Sequence, residues 1–372
     1  MSAMGVGQSP ATRLNISSVV EVRKSLAEGV WHKSCGLCQN AEKVGAQSMR
    51  IIWNDALQQY TIPVTAEADP KDIRFMSLAF GTKCNSKCMT CSPSSSDFWY
   101  DEYMHIWRDD AKEKVKARKV IPIIVTNDNT IEILETFPNV EHITLLGGEP
   151  TIVEEHNTLL QTLIASGKSK NISLTYVTNL TGISDELIEQ WQSFKHISIM
   201  VSIDGIGLSD EYIRYPFKWS KVETNLRKVL ELHRSKQASV GLSCTASMFN
   251  CLDIADLLLY WYELCEEYDN LSNGLYINKV TTPAYTGCNI MSDEHRQEAI
   301  ERLKEVKAIF DADSNLNLSY TNSASLLIDW LDKPRASNEL IENAKHFILE
   351  SDKFRNRHIK NYIPKVWEDL FT

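Results

Sequence analysis

Short apolar runs alternate with amphipathic segments along most of this chain. The segments at 130–136, 153–166, 185–193, 221–235 and 254–268 have helical spacing. The apolar runs have the length of strands and fall at 73–80, 142–146, 172–177, 196–203, 239–248 and 275–281. This alternation is typical of parallel strands joined by crossover helices. The pattern therefore predicts an α/β fold, an open partial (β/α)6 barrel of the TIM type.

The pattern changes on both sides of the predicted barrel. Residues 17–33 have the spacing of an amphipathic helix that ends at a thiol pair, Cys35-Gly-Leu-Cys38, followed by a polar, turn-prone stretch. Residues after 292 are mostly helical. We therefore predict a disordered leader at 1–16, a small Cys-containing extension at 17–62, the barrel at 70–285 and a helical C-terminal region at 286–372.

Composition narrows the class of protein. The 372 residues are 43% hydrophobic and 24% charged, as in soluble globular proteins. The longest apolar run, near 257–262, is far short of the ~20 residues that span a membrane. Nine cysteines and no export signal predict reduced thiols and a cytoplasmic location. A net charge of −10 disfavours nucleic-acid binding, and we interpret the basic run at 112–119 as a solvated helix face.

The main candidate for chemistry is a group of three cysteines, Cys84, Cys88 and Cys91, directly after the first predicted strand. Three thiolates can each bind one iron of a [4Fe-4S] cluster and leave the fourth iron open. Zinc is the alternative, because paired cysteines are common in zinc sites. A zinc site needs a fourth ligand, and residues 92–97 contain no histidine or cysteine. The sequence favours the cluster.

Polar residues and glycines follow the next predicted strands. Gly147 and Gly148 follow the second, Asn179 the third, and Ser202 and Asp204 the fourth. Each of them alone is an ordinary turn or capping residue. Because barrel chemistry lies at the carboxyl ends of strands, we expect these residues to share one rim with the cysteines.

Together these motifs resemble the radical S-adenosylmethionine (radical SAM) superfamily over about residues 73–282. The similarity rests on CxxxCxxC after the first strand, GGEP at 147–150, Thr178-Asn179, and Ser202-Ile-Asp204-Gly. Within that superfamily, the residues at 91–96, 146–150, 202–207 and 211–216 resemble the corresponding motifs of twitch-domain radical SAM proteins. The pattern CxxC-x3-E-x2-G-x2-S-x-R also resembles an auxiliary-cluster (SPASM/twitch) module, with Cys35, Cys38, Glu42, Gly45, Ser48 and Arg50 in its positions.

The resemblance implies roles for individual residues. Cys84, Cys88 and Cys91 would bind a [4Fe-4S] cluster whose open iron chelates S-adenosyl-L-methionine. The methionine amine would meet Gly147, Gly148 and Glu149. Its carboxylate would meet Ser202 and Arg214, and the ribose or the substrate would meet Asn179 and Asp204. The alternatives are that Arg214 is a surface residue and that Asp204 only shapes its turn.

The implied activity is reductive cleavage of S-adenosylmethionine to a 5′-deoxyadenosyl radical that abstracts hydrogen from a substrate. A peptide or protein side chain is the expected substrate, and flavodoxin or ferredoxin the expected type of electron donor. We expect no membrane partner and assign no catalytic residue. The alternative function is a non-catalytic binding protein stabilised by zinc or an iron–sulfur cluster.

Two positions depart from the family pattern. Thr90 stands where an aromatic residue is usual, and no cysteine precedes Cys35. A second iron–sulfur cluster or zinc ion at Cys35 and Cys38 would therefore need other ligands, such as Cys244, Cys251 or Cys288. We interpret these three, and the pair itself as an alternative, as buried structural thiols.

Overall fold

The computed structural model describes residues 12, 14–43, 48–60, 65–117, 125–235, 238–269 and 274–372. They form two compact units. The described residues up to Met76 and Asn127–Glu141 form the first unit, and those of Ser77–Thr126 and His142–Thr372 form the second. The predicted leader lies almost wholly outside the described residues. The division into four segments stays a prediction.

Helices flank the strands throughout the chain. Short 3-10 helices occur at Lys33–Cys35, Pro70–Asp72, Asp97–Trp99, Pro150–Ile152, Lys168–Asn171, Ala284–Thr286, Cys288–Ile290 and Ile359–Asn361. The α-helices are α1 (Ser17–Ala27), α2 (Gly36–Lys43), α3 (Met49–Leu57), α4 (Tyr100–Ala117), α5 (Asn127–Thr136), α6 (Glu154–Ala165), α7 (Asp185–Trp191), α8 (Leu208–Ile213), α9 (Trp219–Arg234), α10 (Ile254–Glu267), α11 (Asp293–Ala312), α12 (Ser319–Leu331), α13 (Asn338–Arg355) and α14 (Pro364–Phe371).

The strands are β1 (Phe75–Ala79), β2 (Lys87–Cys88), β3 (His142–Leu146), β4 (Ser173–Thr178), β5 (His196–Ser202), β6 (Arg214–Tyr215), β7 (Ala238–Ala246) and β8 (Leu275–Lys279). A six-stranded sheet has the order β1-β3-β4-β5-β7-β8, and its pairs from β3 to β8 are parallel. Within the described residues the sheet is open, with β1 and β8 at its edges. The predicted α/β class and partial barrel are confirmed.

Burial alternates along the central strand β5. Ile197, Ile199 and Val201 are buried, whereas the intervening residues keep some exposure. This period of two is expected for a strand with one packed face and one face that lines a cavity. The alternate apolar residues of β5 are therefore those on the strand face that packs in the core.

The first unit is joined by side chains from distant parts of the chain. Phe75 packs edge-on against Trp53 and Tyr60 with ring centroids 5.2 and 6.2 Å apart. The Tyr60 hydroxyl also donates to Glu141 at 3.0 Å. The region of α3 therefore contacts Phe75, which precedes α5 in the sequence, and Glu141, which follows it.

Two local features differ from the prediction. The stretch after Cys38 was expected to be turn-prone, but its first residues belong to the helix Gly36–Lys43, since most residues of that helix are good helix formers. In addition, β2 and β6 pair antiparallel, with Cys88 opposite Arg214. Two-residue strands are too short to show a period, so the sequence gave no signal for this pair.

The part of the chain that the structure describes contains no helix with both the length and the apolar content needed to cross a membrane.

Candidate functional site

A cavity of about 370 Å³ opens in the second unit beside the carboxyl ends of its parallel strands. Every predicted site residue of this unit lines it, except Asp204. The lining residues are Cys84, Ser86, Cys88, Thr90, Cys91, Ser95, Ser96, Leu146, Gly147, Gly148, Glu149, Val177, Asn179, Ser202, Arg214, Ser243, Thr245 and Asn278. The fold thus brings motifs from four separate parts of the chain to one rim, where barrels place their chemistry.

The cysteine loop is held by hydrogen bonds to its backbone. Trp99 Nε1 donates to the Cys88 carbonyl at 2.9 Å, and the Met89 amide donates to the Ile213 carbonyl at 2.8 Å. Ser96 Oγ donates to the Ser86 carbonyl at 2.8 Å. These bonds satisfy buried polar groups and fix the direction in which the thiols point.

The three thiols have different electrostatic surroundings. Hydrogen bonding with Cys91 lowers the pKa of Cys88 to about 6, helped by the cation of Arg214 and opposed by burial. The same bond raises the pKa of Cys91. Burial is the main cause that raises the pKa of Cys84 to about 11. Cys88 is therefore the thiol that most readily becomes a thiolate.

No three His, Cys, Asp or Glu side chains converge on a single-ion site in the described ranges. Four-iron clusters bond each cysteine to a different iron, so their ligands need not converge on one point. Cys84, Cys88 and Cys91 all line the same cavity.

The glycine turn packs against the cysteine loop itself. The amides of Gly148 and Glu149 donate to the carbonyls of Gly81 and Lys83 at 3.1 and 3.0 Å. A Cβ on Gly148 would lie 2.3 Å from the Lys83 oxygen and 2.8 Å from Cys84 Cβ. Gly147 has φ +140°, a conformation that glycine favours. The close approach observed here is that of the protein's own backbone.

The carboxylate of Glu149 is occupied by neighbouring strand-end groups. One oxygen accepts from the hydroxyls of Thr151 and Thr178 at 2.7 and 2.8 Å, and the other accepts from the Asn179 amide at 2.7 Å. Burial, the main cause, raises the pKa of Glu149, and these donors oppose it. Asn179 Nδ2 in turn donates to Asn85 Oδ1 in the cysteine loop at 3.1 Å. This network joins the ends of β3 and β4 to the loop.

Arg214 lies between Cys88 and two buried aspartates. Its Nη1 is 3.8 Å from Cys88 Sγ, its Nη2 is 2.8 Å from Asp204 Oδ2, and its Nε is 3.9 Å from Asp210. Only 9% of Arg214 is exposed, which contradicts the alternative of a surface residue. Burial is the main cause that raises the pKa of Asp210 to about 7, against the Arg214 charge.

Asp204 forms an ion pair with Arg214 and does not itself line the cavity. It is fully buried, and its Oδ1 accepts from the Thr245 amide at 2.7 Å. The sequence suggested that Asp204 faces a ligand or shapes its turn. The structure instead places it outside the lining of the cavity, against a buried cation.

The other predicted thiol pair belongs to the first unit. Cys35 and Cys38 are partly exposed, near the start of α2. Glu42 accepts from Arg50 Nε at 3.0 Å and from the Ser48 hydroxyl, and Arg50 lies 5.0 Å from the centre of the Trp31 ring. The polar residues of this motif therefore bind one another. Gly45 lies outside the described residues.

The remaining cysteines lie inside the second unit. Cys244, Cys251, Cys265 and Cys288 are all buried, as the structural-thiol interpretation expects. The auxiliary site stays a prediction.

Sequence reasoning missed part of the cavity wall. Ser243, Thr245 and Asn278 lie near the carboxyl ends of β7 and β8, and Asn278 donates to Ser243 Oγ at 3.3 Å. The predicted strands 239–248 and 275–281 contain all three, so the sequence did not mark them as strand-end residues. Asn85 was also missed, because its importance depends on a bond to Asn179.

Part of the sequence matches a known protein family. Residues 78–249 match the model of the Radical SAM superfamily. No curated protein sequence matches the chain.

The chain is similar to several solved structures over part of its length. One is native anSMEcpe with bound AdoMet and Cp18Cys peptide, with 16% identity over 63% of this chain and 59% of that chain, and a TM-score of 0.42. Another is Streptococcus suis SuiB bound to precursor peptide SuiA, with 13% identity, 80% and 61% coverage, and a TM-score of 0.42. TYW1 with a lysine-pyruvate adduct bound shows 16% identity, 64% and 71% coverage, and a TM-score of 0.34. The chain thus spans about three fifths of the first two proteins.

The family match covers the cysteine loop, the glycine turn and the ends of β4 and β5, the same motifs that line the cavity. The chain therefore carries a radical SAM domain over residues 78–249.

Proposed function

We propose that this protein cleaves S-adenosylmethionine reductively at a [4Fe-4S] cluster and uses the resulting radical to abstract hydrogen from a peptide or protein side chain. The observation that carries this proposal is the single cavity shared by three cysteines, a glycine turn and a buried arginine. Its volume of about 370 Å³ lies within the ordinary range for small-molecule sites.

The donor set fits a cluster. Cys84, Cys88 and Cys91 would supply three sulfur ligands in one cavity, and within the described ranges no fourth Cys or His side chain lines it. Arg214 Nη1, 3.8 Å from Cys88 Sγ, places a positive charge beside the thiolates. This arrangement favours a cluster with one open iron over a closed structural ion.

The chain offers separate groups for the two ends of an amino acid. We assign the methionine amine to the turn Gly147–Glu149. Since the Glu149 carboxylate already accepts several hydrogen bonds, the turn would act through its backbone. We assign the carboxylate to Ser202 and Arg214, because a guanidinium presents several donors in a fixed fork. Arg214 Nε has no hydrogen-bond partner among the described residues.

Two further residues have supporting roles. Asn179 lines the cavity and is assigned to the ribose or the substrate. Asp204 is assigned as a positioning residue, since its carboxylate holds Arg214 Nη2 at 2.8 Å.

The cluster and S-adenosylmethionine together supply the difficult chemistry, a one-electron cleavage that yields methionine and a 5′-deoxyadenosyl radical. The protein binds, orients and shields the reactants. Leu146 and Val177 give the cavity an apolar part next to its polar strand ends. We propose that a flavodoxin- or ferredoxin-type protein delivers the electron. The substrate class follows the resemblance to auxiliary-module proteins, and the anSMEcpe and SuiB structures named above contain peptides.

Anaerobic reconstitution with iron and sulfide tests the proposal. The expected result is about four irons per chain, a charge-transfer absorption band, and 5′-deoxyadenosine formed from S-adenosylmethionine under a strong reductant. Cys265→Ala, which removes a buried thiol away from the cavity, is the matched control for the Cys88→Ala variant. If the site takes zinc and leaves S-adenosylmethionine intact, the protein is instead a metal-stabilised binding protein.

A further inference from the structure

Arg355, at the end of α13, lies outside the region that matches the superfamily model, yet it touches the cysteine loop. We propose that Arg355 is a positioning residue that fixes the loop carrying Cys88 and places a positive charge behind it. This inference rests on the proposed cluster site.

The guanidinium of Arg355 reaches two residues of the loop and one of α4. Nη2 donates to the Lys87 carbonyl at 2.9 Å and Nη1 to Met89 Sδ at 3.2 Å. Nε donates to Glu102 Oε1 at 2.8 Å. Lys87 and Met89 flank Cys88 on both sides, so this one side chain holds the ligand's two neighbours.

Aromatic rings hold the guanidinium in place. Its central carbon lies 5.0 Å from the Trp99 ring centre and 4.8 Å from that of Tyr215. Trp99 Nε1 also donates to the Cys88 carbonyl at 2.9 Å. The Lys87 carbonyl therefore accepts from Arg355 itself, and the Cys88 carbonyl accepts from a ring that packs on Arg355.

The end of α13 is itself anchored. Asp352, one turn before Arg355, accepts from the Tyr212 hydroxyl at 2.9 Å and from the Ile359 amide at 2.7 Å. Tyr212 belongs to α8, which leads directly into β6 and Arg214. The C-terminal helices thus support the β2–β6 pair, in which Cys88 lies opposite Arg214.

The charged groups around Arg355 are buried, so their interactions are strong. The side chains of Arg355 and Glu102 are 1% and 0% exposed, and Lys87 Nζ lies 3.6 Å from the other Glu102 oxygen. Charges interact strongly where water is excluded. A cation near a cluster favours its reduced, more negative state, and net charge is one determinant of cluster potentials.

The first test uses the protein without iron. Cys88 is only 7% exposed, so iodoacetamide should alkylate it slowly in the wild-type chain and severalfold faster in Arg355→Met. Cys265, fully buried elsewhere in the unit, is the internal reference and should be unaffected. Equal Cys88 rates in the two proteins, or a parallel rise at Cys265, would overturn the positioning role.

The second test uses the reconstituted holoprotein. Loss of iron to a chelator should be about tenfold faster in Arg355→Met, the scale typical of residues that orient metal ligands. The midpoint potential should move to a more negative value. Arg355→Lys keeps the charge without the fork, so it should restore the potential more than the retention of iron.

Arg296→Met is the matched control. Arg296 is also buried, and its Nε donates to the Met291 carbonyl at 3.2 Å. No contact recorded within the described residues links it to the cysteine loop. If Arg296→Met accelerates iron loss as much as Arg355→Met, the effect is general destabilisation and the inference fails. If the wild-type chain binds no cluster, the proposed function fails, while the alkylation result still decides the positioning role.

Discussion

Two groups of thiols in this chain have similar spacing and very different surroundings. Cys84, Cys88 and Cys91 lie on a loop that shares hydrogen bonds with the 3-10 helix Asp97–Trp99, the glycine turn and the β2–β6 pair. Cys35 and Cys38 lie partly exposed near the start of a short helix, where the polar residues of their motif bind mainly one another. The difference shows that cysteine spacing makes a candidate, whereas groups brought from distant parts of the chain make a site.

Removing each group of thiols in turn should give the largest difference between the two regions. The triple variant Cys84→Ala, Cys88→Ala, Cys91→Ala should lose all iron and all S-adenosylmethionine cleavage, because it removes every proposed ligand. Cys35→Ala, Cys38→Ala is the matched variant and should keep about four irons per chain. Iron analysis and the cleavage assay measure both. Residual iron in the triple variant would show that the N-terminal pair also binds a cluster.

Asp204→Asn removes the buried partner of Arg214. Breaking a buried ion pair leaves an uncompensated charge, so the free energy of unfolding should fall by about 3 kcal/mol or more. S-adenosylmethionine binding should also weaken about tenfold, because Arg214 loses its orientation. Denaturant unfolding and equilibrium binding measure the two effects. Unchanged stability would mean that the Asp204 to Arg214 pair is not formed.

Gly148→Ala forces a Cβ into the Lys83 carbonyl, 2.3 Å away. Overpacking of this kind costs about 1–3 kcal/mol and should displace the cysteine loop. Gly36→Ala is the control in the N-terminal thiol region, because a Cβ there meets nothing within 4 Å. We expect Gly36→Ala to be neutral or slightly stabilising. Thermal unfolding and iron retention compare the two, and equal effects would contradict the described packing.

The smallest expected effect concerns the N-terminal motif. Arg50, with the Ser48 hydroxyl, holds the pKa of Glu42 below its ordinary value of 4.5. A lowered pKa in the folded state stabilises that state above pH 4.5, and the contribution is lost as pH falls through the folded value. Glu42→Gln should therefore lower stability slightly at pH 7 and change little well below pH 4.5, so the variant should lose less stability on acidification. Thermal scans at several pH values measure this, and an identical acid dependence in the variant would exclude the pair as its cause.

The barrel and the location of its site could be predicted because their signals are local. Apolar runs and helical spacing reflect which face each element buries, so the six strands fall within two residues of their predicted bounds. The cysteine loop and the glycine turn follow strand ends in the sequence itself. Parallel strands bring such ends to the same edge, so the sequence predicts both motifs on one rim.

The sequence by itself determined the α/β fold, the radical SAM domain at residues 78–249 and the cysteines that form the candidate site. The tertiary structure decided which groups hold them. Arg214 meets Cys88 across 126 positions, and Arg355 meets Lys87 across 268. The periodicity and spacing of residues in a sequence give information only about neighbours along the chain. Folding brings together buried charges and hydrogen-bonding groups that are far apart in the sequence. For that reason Asp204 was expected near a ligand and lies behind Arg214, and the role of Arg355 had no sequence signal.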